Sequence, residues 1–327
     1  MKKMFYTVFA VLAFLMLGGC AGKGEDNRDL EKITVILDYM PNTNHSGIYA
    51  ADKLGYFEQE GLKVEIIEPG DNTVTTLIAA GKGDFGFSFQ EDVTYARTLD
   101  EPLPIRAVAA VIAHNTSGFA SYRDKNITRP MDFEGKTYAG WGSPSEEAIV
   151  RGVMQADGGD PDKLNYVVSD DLSYSVLRDK VDVIWLYWAW EGIASQLAGM
   201  PLNYIELRTL DSRLDFYTPV LIAENSFLEE NPETAESFLK AARRGYEYCV
   251  QNPESAAEIL YESTPEYDLE MLKASQEYLA SRYIDDSDSW GLMKDEVWDD
   301  YTRFMLENQL IPRSIPASEC YTNEFLQ

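Results

Sequence analysis

Short stretches in which apolar and polar residues alternate follow one another along the chain, and segments with helical spacing of apolar residues lie between them. Alternation with a period of two is typical of strands, and apolar residues three or four positions apart are typical of amphipathic helices. The strands predicted in this way are residues 33–37, 62–67, 84–89, 105–113, 137–140, 164–168, 181–186 and 220–223. Because helices are predicted between most of these strands, the pattern indicates an α/β fold with parallel sheets and right-handed crossovers.

Capping residues mark where several of the helices begin. Ser143, Pro144 and Glu146 have the order of an N-cap, a first-turn proline and the acid of a capping box. Asn-Pro-Glu occurs at 231–233 and again at 252–254, and each copy predicts a helix that starts at its proline. The part of the chain after the last predicted strand is therefore expected to be mainly helical.

Polar side chains follow the first predicted strand. Asp38 and Tyr39 come directly after it, and Asn42 and His45 lie in the next few residues. In open α/β sheets, ligands bind in the crevice outside the carboxyl ends of the strands. Such residues also cap helices, but a cap needs only one or two of these groups. We therefore interpret the four residues as candidate ligand contacts, together with Gln90 at the exit of the third strand.

Aromatic residues and a carboxylate gather at a later strand-to-helix junction. Tyr187, Trp188 and Glu191 lie within five residues of one another, and Trp141 follows a neighbouring predicted strand. Flat rings beside a carboxylate suit a planar heterocycle that is stacked by the rings and hydrogen-bonded by the acid. The same rings also suit packing between two lobes, and the sequence leaves both interpretations open.

The first residues have the pattern of an export sequence. Lys2 and Lys3 precede an apolar run over residues 4–17, which is shorter than the about 20 residues of a spanning helix. The run ends in Leu-Gly-Gly-Cys, which resembles the lipobox of bacterial lipoproteins. We expect a signal peptide over 1–19, lipidation of Cys20 and a polar tether over 20–32. The predicted location is the extracytoplasmic face of the bacterial cell membrane.

Composition narrows the classes of function. The 327 residues suit two lobes, and the formal net charge of -27 argues against nucleic acid as a partner. Besides Cys20, the chain has Cys249 and Cys320, and the sequence leaves open whether they form a disulfide. His45 and His114 are the two histidines, and the sequence shows no metalloprotease, nucleophile-elbow or phosphate-loop motif. We expect no catalytic residue, metal or cofactor.

Several short motifs carry a resemblance to a known family. They are Asn-Thr-Asn-His at 42–45, Gly-Tyr-Phe at 55–57, Gly-Leu at 61–62, Ala-Gly-Lys-Gly-Asp-Phe-Gly at 80–86 and Asn-Pro-Glu at 231–233. In these residues the chain resembles the periplasmic-binding-protein type II solute receptors of ABC importers. Within them it is most similar to the group that binds pyrimidine precursors of thiamine.

The resemblance implies a two-lobed Venus flytrap fold of the α/β class, with the ligand in the cleft between the lobes. It places one lobe at 33–115 plus 218–327 and the other at 116–217, with crossovers near 114–121 and 216–220. The implied partners are an ABC permease and a small planar heteroaromatic solute of the formylaminopyrimidine or hydroxymethylpyrimidine type. Asp38 and Glu191 are then expected to pair with ring amino groups, while two aromatic rings sandwich the ligand.

The resemblance also raises other functions. A eukaryotic enzyme that makes the thiamine pyrimidine shares this fold, and it uses a lysine and a histidine where this chain has Ser88 and Asp92. Its cysteine-rich iron motif would fall near 212–217, which contains no cysteine. Without the amine no Schiff base forms, so an enzyme is disfavoured. A receptor for riboflavin or another aromatic precursor is the main alternative. A sulfonate or nitrate receptor ranks third, because the candidate residues include no lysine or arginine.

Overall fold

The structure is a computed structural model that describes residues 30–70, 72–169 and 171–326. The strands in this part of the chain are β1 Glu31–Ile36, β2 Leu62–Ile67, β3 Phe85–Ser88, β4 Ile105–Ala110, β5 Ser117–Tyr122, β6 Thr137–Gly140, β7 Asn165–Val168, β8 Val183–Tyr187, β9 Leu202–Glu206 and β10 Val220–Glu224. The predicted signal peptide, Cys20 and most of the predicted tether lie outside the described residues.

The α-helices lie between and after these strands. They are α1 Ser46–Lys53, α2 Tyr56–Gln59, α3 Val74–Ala79, α4 Gln90–Thr98, α5 Pro144–Ala156, α6 Ile193–Leu197, α7 Asn225–Glu230, α8 Pro232–Gln251, α9 Pro253–Ser263, α10 Leu269–Ala280, α11 Asp295–Glu307 and α12 Ala317–Cys320. The predicted helix starts at Pro144, Pro232 and Pro253 are therefore confirmed. Within the described residues, no helix has the length and apolar character needed to cross a membrane.

The first sheet has the strand order β2-β1-β3-β10-β4. β1 runs parallel to β2 and β3, as the alternation of strands and helices predicts, but β10 runs antiparallel to both β3 and β4. The expectation of a purely parallel sheet is therefore wrong. The chain reaches β10 from the second sheet through a short connection, so it enters the first sheet from the opposite direction without a helical crossover.

The second sheet has the strand order β7-β6-β8-β5-β9, and two of its strands were not predicted. β5 lies in the segment that was expected to be a crossover, and β9 has no clear alternation. β5 is rich in small residues, yet Phe119 and Ala120 are buried because β8 and β9 flank the strand on both sides. Pairing with its neighbours, rather than its own pattern, makes this segment a strand.

Separate hydrophobic clusters pack against each sheet, and α11 contributes to one cluster of each. Trp298 packs in a core beside the first sheet, whereas Tyr301 and Phe304 pack in the core of the second sheet. The division into lobes at 33–115 plus 218–327 and 116–217 remains a prediction, and α11 links the cores on its two sides. Cys249 and Cys320 are buried free thiols in different core clusters.

Hydrogen bonds tie together the two connections between the sheets. His114 Nδ1 lies 2.7 Å from Asp215 Oδ2, and the Asn115 backbone N–H donates to Asp215 Oδ1 at 3.0 Å. His114 Nε2 lies 3.0 Å from Asp286 Oδ1. The hydrogen bond to Asp215, with a smaller contribution from Asp286, raises the pKa of His114. Asp215 thus holds one connection against the other at the point where both leave the sheets.

Candidate functional site

A cavity of about 650 Å³ lies where the carboxyl ends of strands from both sheets face each other. Its first wall comes from the segment after β1 and consists of Asp38, Tyr39, Met40, Asn42 and Asn44. Its second wall comes from the ends of β6 and β8 and consists of Trp141, Tyr187, Trp190 and Glu191. Phe89, Thr218, Pro219 and Tyr267 complete the lining.

The first wall is organised by hydrogen bonds around His45. The Asn42 side chain accepts from the Asn44 backbone N–H at 3.0 Å, and the Asn42 backbone N–H donates to His45 Nδ1 at 3.0 Å. Because Nδ1 accepts this bond, the proton of the neutral imidazole lies on Nε2, which donates to Asp38 Oδ1 at 2.6 Å. His45 is buried, so it acts on the cavity by orienting Asp38 and by holding the backbone of Asn42.

The same loop is anchored by two buried tyrosines, one in α8 and one in the turn after α10. Tyr283 Oη donates to the Thr43 carbonyl oxygen at 2.6 Å, and Tyr246 Oη donates to the Asn44 carbonyl oxygen at 2.7 Å. α1, which follows the loop, packs directly against α8. The two backbones are so close that a Cβ atom on Gly245 would overlap the carbonyl oxygen of Gly47. Glycine is therefore required at this crossing, and the crossing fixes where the loop stands.

The second wall begins at a wide turn of the backbone. Residues Trp188–Gly192 form a single turn of π-helix directly after β8, a geometry that is common at functional sites. Glu191 accepts a hydrogen bond from the Tyr174 backbone N–H at 2.8 Å, and burial raises the pKa of this carboxyl group. Trp190 packs edge-on against Tyr267, with 5.3 Å between the ring centroids. The turn therefore presents a carboxyl group and an indole to the same cavity.

Two of the predicted contacts do not line the cavity. Gln90 is fully buried, and its side chain accepts from the Tyr217 backbone N–H at 2.8 Å and donates to the Val297 carbonyl oxygen at 3.1 Å. Trp188 packs on Tyr204 instead, with 4.6 Å between the ring centroids. Neither Gln90 nor Trp188 is therefore brought to the cavity with the other predicted contacts, because backbone groups hold the first side chain and a neighbouring ring holds the second.

The remaining candidates lie in or behind the cavity. Asp38, Tyr39, Asn42, Trp141, Tyr187 and Glu191 line it, and His45 stands behind Asp38. Sequence reasoning did not select Met40, Asn44, Phe89, Trp190, Thr218, Pro219 or Tyr267. Trp190 lies between Trp188 and Glu191, so the argument that selected the other aromatic residues of this junction could also have selected it. Tyr267 lies in the turn between α9 and α10, where no strand end marks it.

Three further carboxyl groups lie near the cavity and differ in exposure, since Glu146 is buried, Glu91 is half-buried and Asp92 is exposed. Glu91 accepts hydrogen bonds from Ser145 Oγ and from Tyr301 Oη, and burial raises its pKa. Although the Asp92 side chain has exposed surface, desolvation of its carboxyl group, together with Glu91, raises its pKa to about 7. Glu146 is buried and accepts from Tyr138 Oη, which lies 2.7 Å away. Glu91 and Asp92 therefore keep their protons to a higher pH than free acids do, and the described lining residues of the cavity include no lysine or arginine to pair with them.

This electrostatic character restricts what the cavity binds. Asp38 and Glu191 line it, and no lysine or arginine is among the described residues of its lining. Carboxylates accept hydrogen bonds from N–H and O–H groups and repel phosphate, sulfonate and nitrate. Trp141, Tyr187, Trp190 and Tyr267 offer flat apolar surfaces. The described residues contain no cluster of three His, Cys, Asp or Glu side chains that is arranged to hold a metal ion.

Comparison with known proteins is consistent with this geometry. The NMT1/THI5-like family model matches residues 42–256, which is more than half of the chain. The chain is 27% identical to the formylaminopyrimidine-binding protein of Halalkalibacterium halodurans, over 98% of this chain and 99% of that protein. It is 24% identical to the 4-amino-5-hydroxymethyl-2-methylpyrimidine phosphate synthase of Legionella pneumophila, over 90% of this chain and 92% of that enzyme.

A solved structure shows the same fold. The periplasmic aliphatic sulphonate binding protein SsuA of Escherichia coli matches with a TM-score of 0.70 and 15% identity. The match covers 91% of this chain and 99% of that protein. The predicted α/β fold with two lobes, of the periplasmic-binding-protein kind, is thereby confirmed.

Proposed function

The chain belongs to the NMT1/THI5-like family, and from that premise we propose that it is a solute-binding protein of an ABC importer. Its ligand is a pyrimidine precursor of thiamine, of the formylaminopyrimidine or hydroxymethylpyrimidine type. The observation that carries this proposal is the cavity between the two sheets, whose described lining has two carboxyl groups and six aromatic rings and no lysine or arginine. The formylaminopyrimidine-binding relative, which matches this chain over almost its whole length, supports the same class of ligand.

The proposed binding mode uses both walls of the cavity. The carboxylate of Asp38 is held in place by His45 and accepts a hydrogen bond from an amino group of the ring. Glu191 has a raised pKa, so it retains its proton over a wider pH range than an exposed glutamate. In its protonated form Glu191 donates to a ring nitrogen while its other oxygen accepts from an exocyclic amine. The pyrimidine ring stacks between the aromatic side chains, as planar heterocycles do in such pockets.

The proposal also covers export and anchoring. The lipobox-like sequence supports cleavage before Cys20 and attachment of acyl chains to this residue. Each buried CH2 group contributes about 0.8 kcal/mol to membrane affinity, so several chains give a firm anchor. The folded body then stands on the extracytoplasmic face of the membrane, where it delivers its ligand to the permease.

A synthase activity is not part of the proposal, although some relatives are named as synthases. The resemblance places Ser88 and Asp92 where the pyrimidine-synthesising enzyme has its lysine and histidine. Ser88 is buried, and its Oγ lies 3.5 Å from Asp92 Oδ2. A hydroxyl and a carboxyl group form no Schiff base, so the residues at these positions favour binding over catalysis.

A thermal-shift screen of the chain from Glu31 onward tests the proposed function. The compounds are formylaminopyrimidine, hydroxymethylpyrimidine and its phosphate ester, thiamine, riboflavin, taurine and nitrate. A ligand present at 100 times its dissociation constant stabilises the folded state by about 2.7 kcal/mol, which gives a measurable increase in melting temperature. We expect shifts with the uncharged pyrimidines and none with the phosphate ester, taurine or nitrate. A shift with riboflavin alone, or with an anion alone, would overturn the proposed ligand.

A further inference from the structure

A side chamber of about 320 Å³ lies next to the candidate ligand cavity. The two spaces share Phe89, Trp141, Tyr187 and Thr218 in their linings, so they adjoin each other. The walls that belong to the chamber alone are Glu91, Asp92, Ser143, Trp185 and Phe216. The proposed binding of the pyrimidine ring uses none of these five residues.

One wall of the chamber carries a hydrogen-bond donor without a partner. Trp185 is 6% exposed, and its Nε1 finds no acceptor within the described residues. Its ring packs against Trp141, with 5.1 Å between the centroids, and against Phe119, with 5.6 Å. These contacts fix the indole in place, so it has little freedom to turn toward another acceptor. A buried N–H group without a partner is uncommon in native proteins, and because Trp185 is part of the chamber wall, a ligand group in the chamber is the nearest source of an acceptor that the structure offers.

Another wall carries an acceptor with spare capacity. Both oxygens of Glu91 are already bonded, one to Ser145 Oγ and the other to Tyr301 Oη. Asp92 has only one hydrogen bond within the described residues, a long one of 3.5 Å from Ser88 Oγ to Oδ2. Asp92 is also the more exposed of the two carboxyl groups. It is therefore the group in the chamber that is free to accept a hydrogen bond from a ligand.

The Trp185 N–H group and the Asp92 carboxyl group together determine which ligand substituent fits the chamber. Building on the proposed function, we infer that the side chamber binds a neutral ring substituent that accepts a hydrogen bond from Trp185 Nε1 and donates one to Asp92. An amide has both an acceptor and a donor, and so does a hydroxyl group. A methyl group satisfies neither wall, and an ammonium group leaves the Trp185 N–H without an acceptor. A phosphate would place its negative charge beside two carboxyl groups, with no lysine or arginine among the described residues of the chamber wall.

The test is calorimetry with ligands that differ only in this substituent. 4-Amino-2-methylpyrimidine is prepared with a formylaminomethyl, hydroxymethyl, aminomethyl or methyl group at ring position 5. We expect the formylaminomethyl compound to bind the native protein about tenfold or more tightly than the methyl compound. Asp92→Ala and Trp185→Phe should each reduce this ratio about fivefold or more, while the affinity for the methyl compound stays within about twofold. Tyr95→Ala, at an exposed position of α4, serves as the matched control and should change neither affinity.

The outcomes separate the two proposals. If either variant loses affinity equally for both compounds, or if the ratio does not change, the chamber is not the subsite. A tighter fit of the aminomethyl compound than of the formylaminomethyl compound also overturns the inference, since it would indicate a cation site. If Trp185→Phe does not fold, Asp92→Ala decides alone. If none of the four pyrimidines binds the native protein, the proposed function itself has failed.

Discussion

The two walls of the ligand cavity are held in different ways. In the first wall, Asp38 is bonded to the buried His45, and the backbone of its loop is bonded to two tyrosines of the core. In the second wall, the one hydrogen bond to Glu191 within the described residues comes from the Tyr174 backbone. Trp141 and Tyr187 stand there with 45% and 37% of their surface exposed.

This difference indicates that the two walls contribute to ligand binding in different ways. A carboxylate that is already oriented loses little conformational freedom when a ligand arrives, so the first wall is preorganised. Exposed aromatic rings gain from being covered, because apolar surface leaves water when a ring stacks on them. The first wall thus orients the ligand, and the second wall supplies most of the apolar contact area. Closure of two lobes would bring both walls into contact with the ligand.

The largest expected effect tests Glu191, the carboxyl group of the second wall. Glu191→Ala should weaken pyrimidine binding by about 1.5–3 kcal/mol, as expected for the loss of a hydrogen bond to a charged or ionisable group. Isothermal titration calorimetry with formylaminopyrimidine measures the change. Glu147→Ala removes an exposed glutamate of α5 and should leave the affinity unchanged. Equal affinities of Glu191→Ala and the native protein would remove Glu191 from the site and leave recognition to the first wall.

A smaller effect tests whether the first wall is preorganised. His45→Phe keeps a ring beside Phe87 but removes the hydrogen bonds to Asp38 and from the Asn42 backbone. We expect binding to weaken by about 1–2 kcal/mol, since Asp38 loses its orientation without leaving the cavity. Urea unfolding, run beside calorimetry, separates this effect from a loss of stability.

The control for this prediction is Thr43→Val in the same turn. It removes the hydrogen bond between Thr43 Oγ1 and Ser275 Oγ, which is also buried, but it does not touch Asp38. Thr43→Val should lower the free energy of unfolding and leave binding unchanged. If both variants weaken binding alike, the loop responds to any loss of stability, and the role assigned to His45 is wrong.

A pH experiment tests Asp92, which lines the side chamber next to the ligand cavity. The pKa of Asp92 is raised from 3.8 to about 7, so the folded state holds this proton more tightly than the unfolded state does. The contribution to stability is present below pH 3.8 and is lost as the pH rises through 7. Asp92→Asn should therefore raise the free energy of unfolding at pH 8 and change it little at pH 4. Urea unfolding at the two pH values measures this, and a benefit of equal size at both would contradict the assignment.

The smallest expected effect concerns the connections between the walls. The pKa of His114 is raised chiefly by its hydrogen bond with Asp215, so its stabilising charge is fully present below pH 6.5 and is lost at higher pH. His114→Gln should remove this pH dependence while it changes stability at pH 9 only slightly. Unfolding curves between pH 5 and 9 test the prediction. Identical pH profiles for the native protein and the variant would show that this pair does not contribute.

The capping sequence at α5 illustrates how far sequence reasoning reached. Ser143 caps the helix as predicted, and its Oγ accepts from the Glu146 backbone N–H at 3.1 Å. The Glu146 side chain, however, does not return to the N-cap. It accepts hydrogen bonds from Tyr138 Oη, Tyr166 Oη and the Gly142 backbone N–H. The N-cap could be predicted from the sequence, but the partners of the Glu146 side chain depend on two tyrosines from neighbouring strands.

Local pattern by itself determined the positions of most strands and helix starts and the two segments from which the cavity is built. Alternation, caps and strand-end polar residues act over a few neighbouring positions, so they can be read without knowing what packs against them. Tertiary structure alone decided that Trp190 and not Trp188 enters the cavity, that Gln90 braces the Tyr217 backbone, and that Tyr267 joins the site. It also made β5 a strand and turned β10 antiparallel. These outcomes depend on partners far away in the sequence, whose position follows only from the packing of the whole fold.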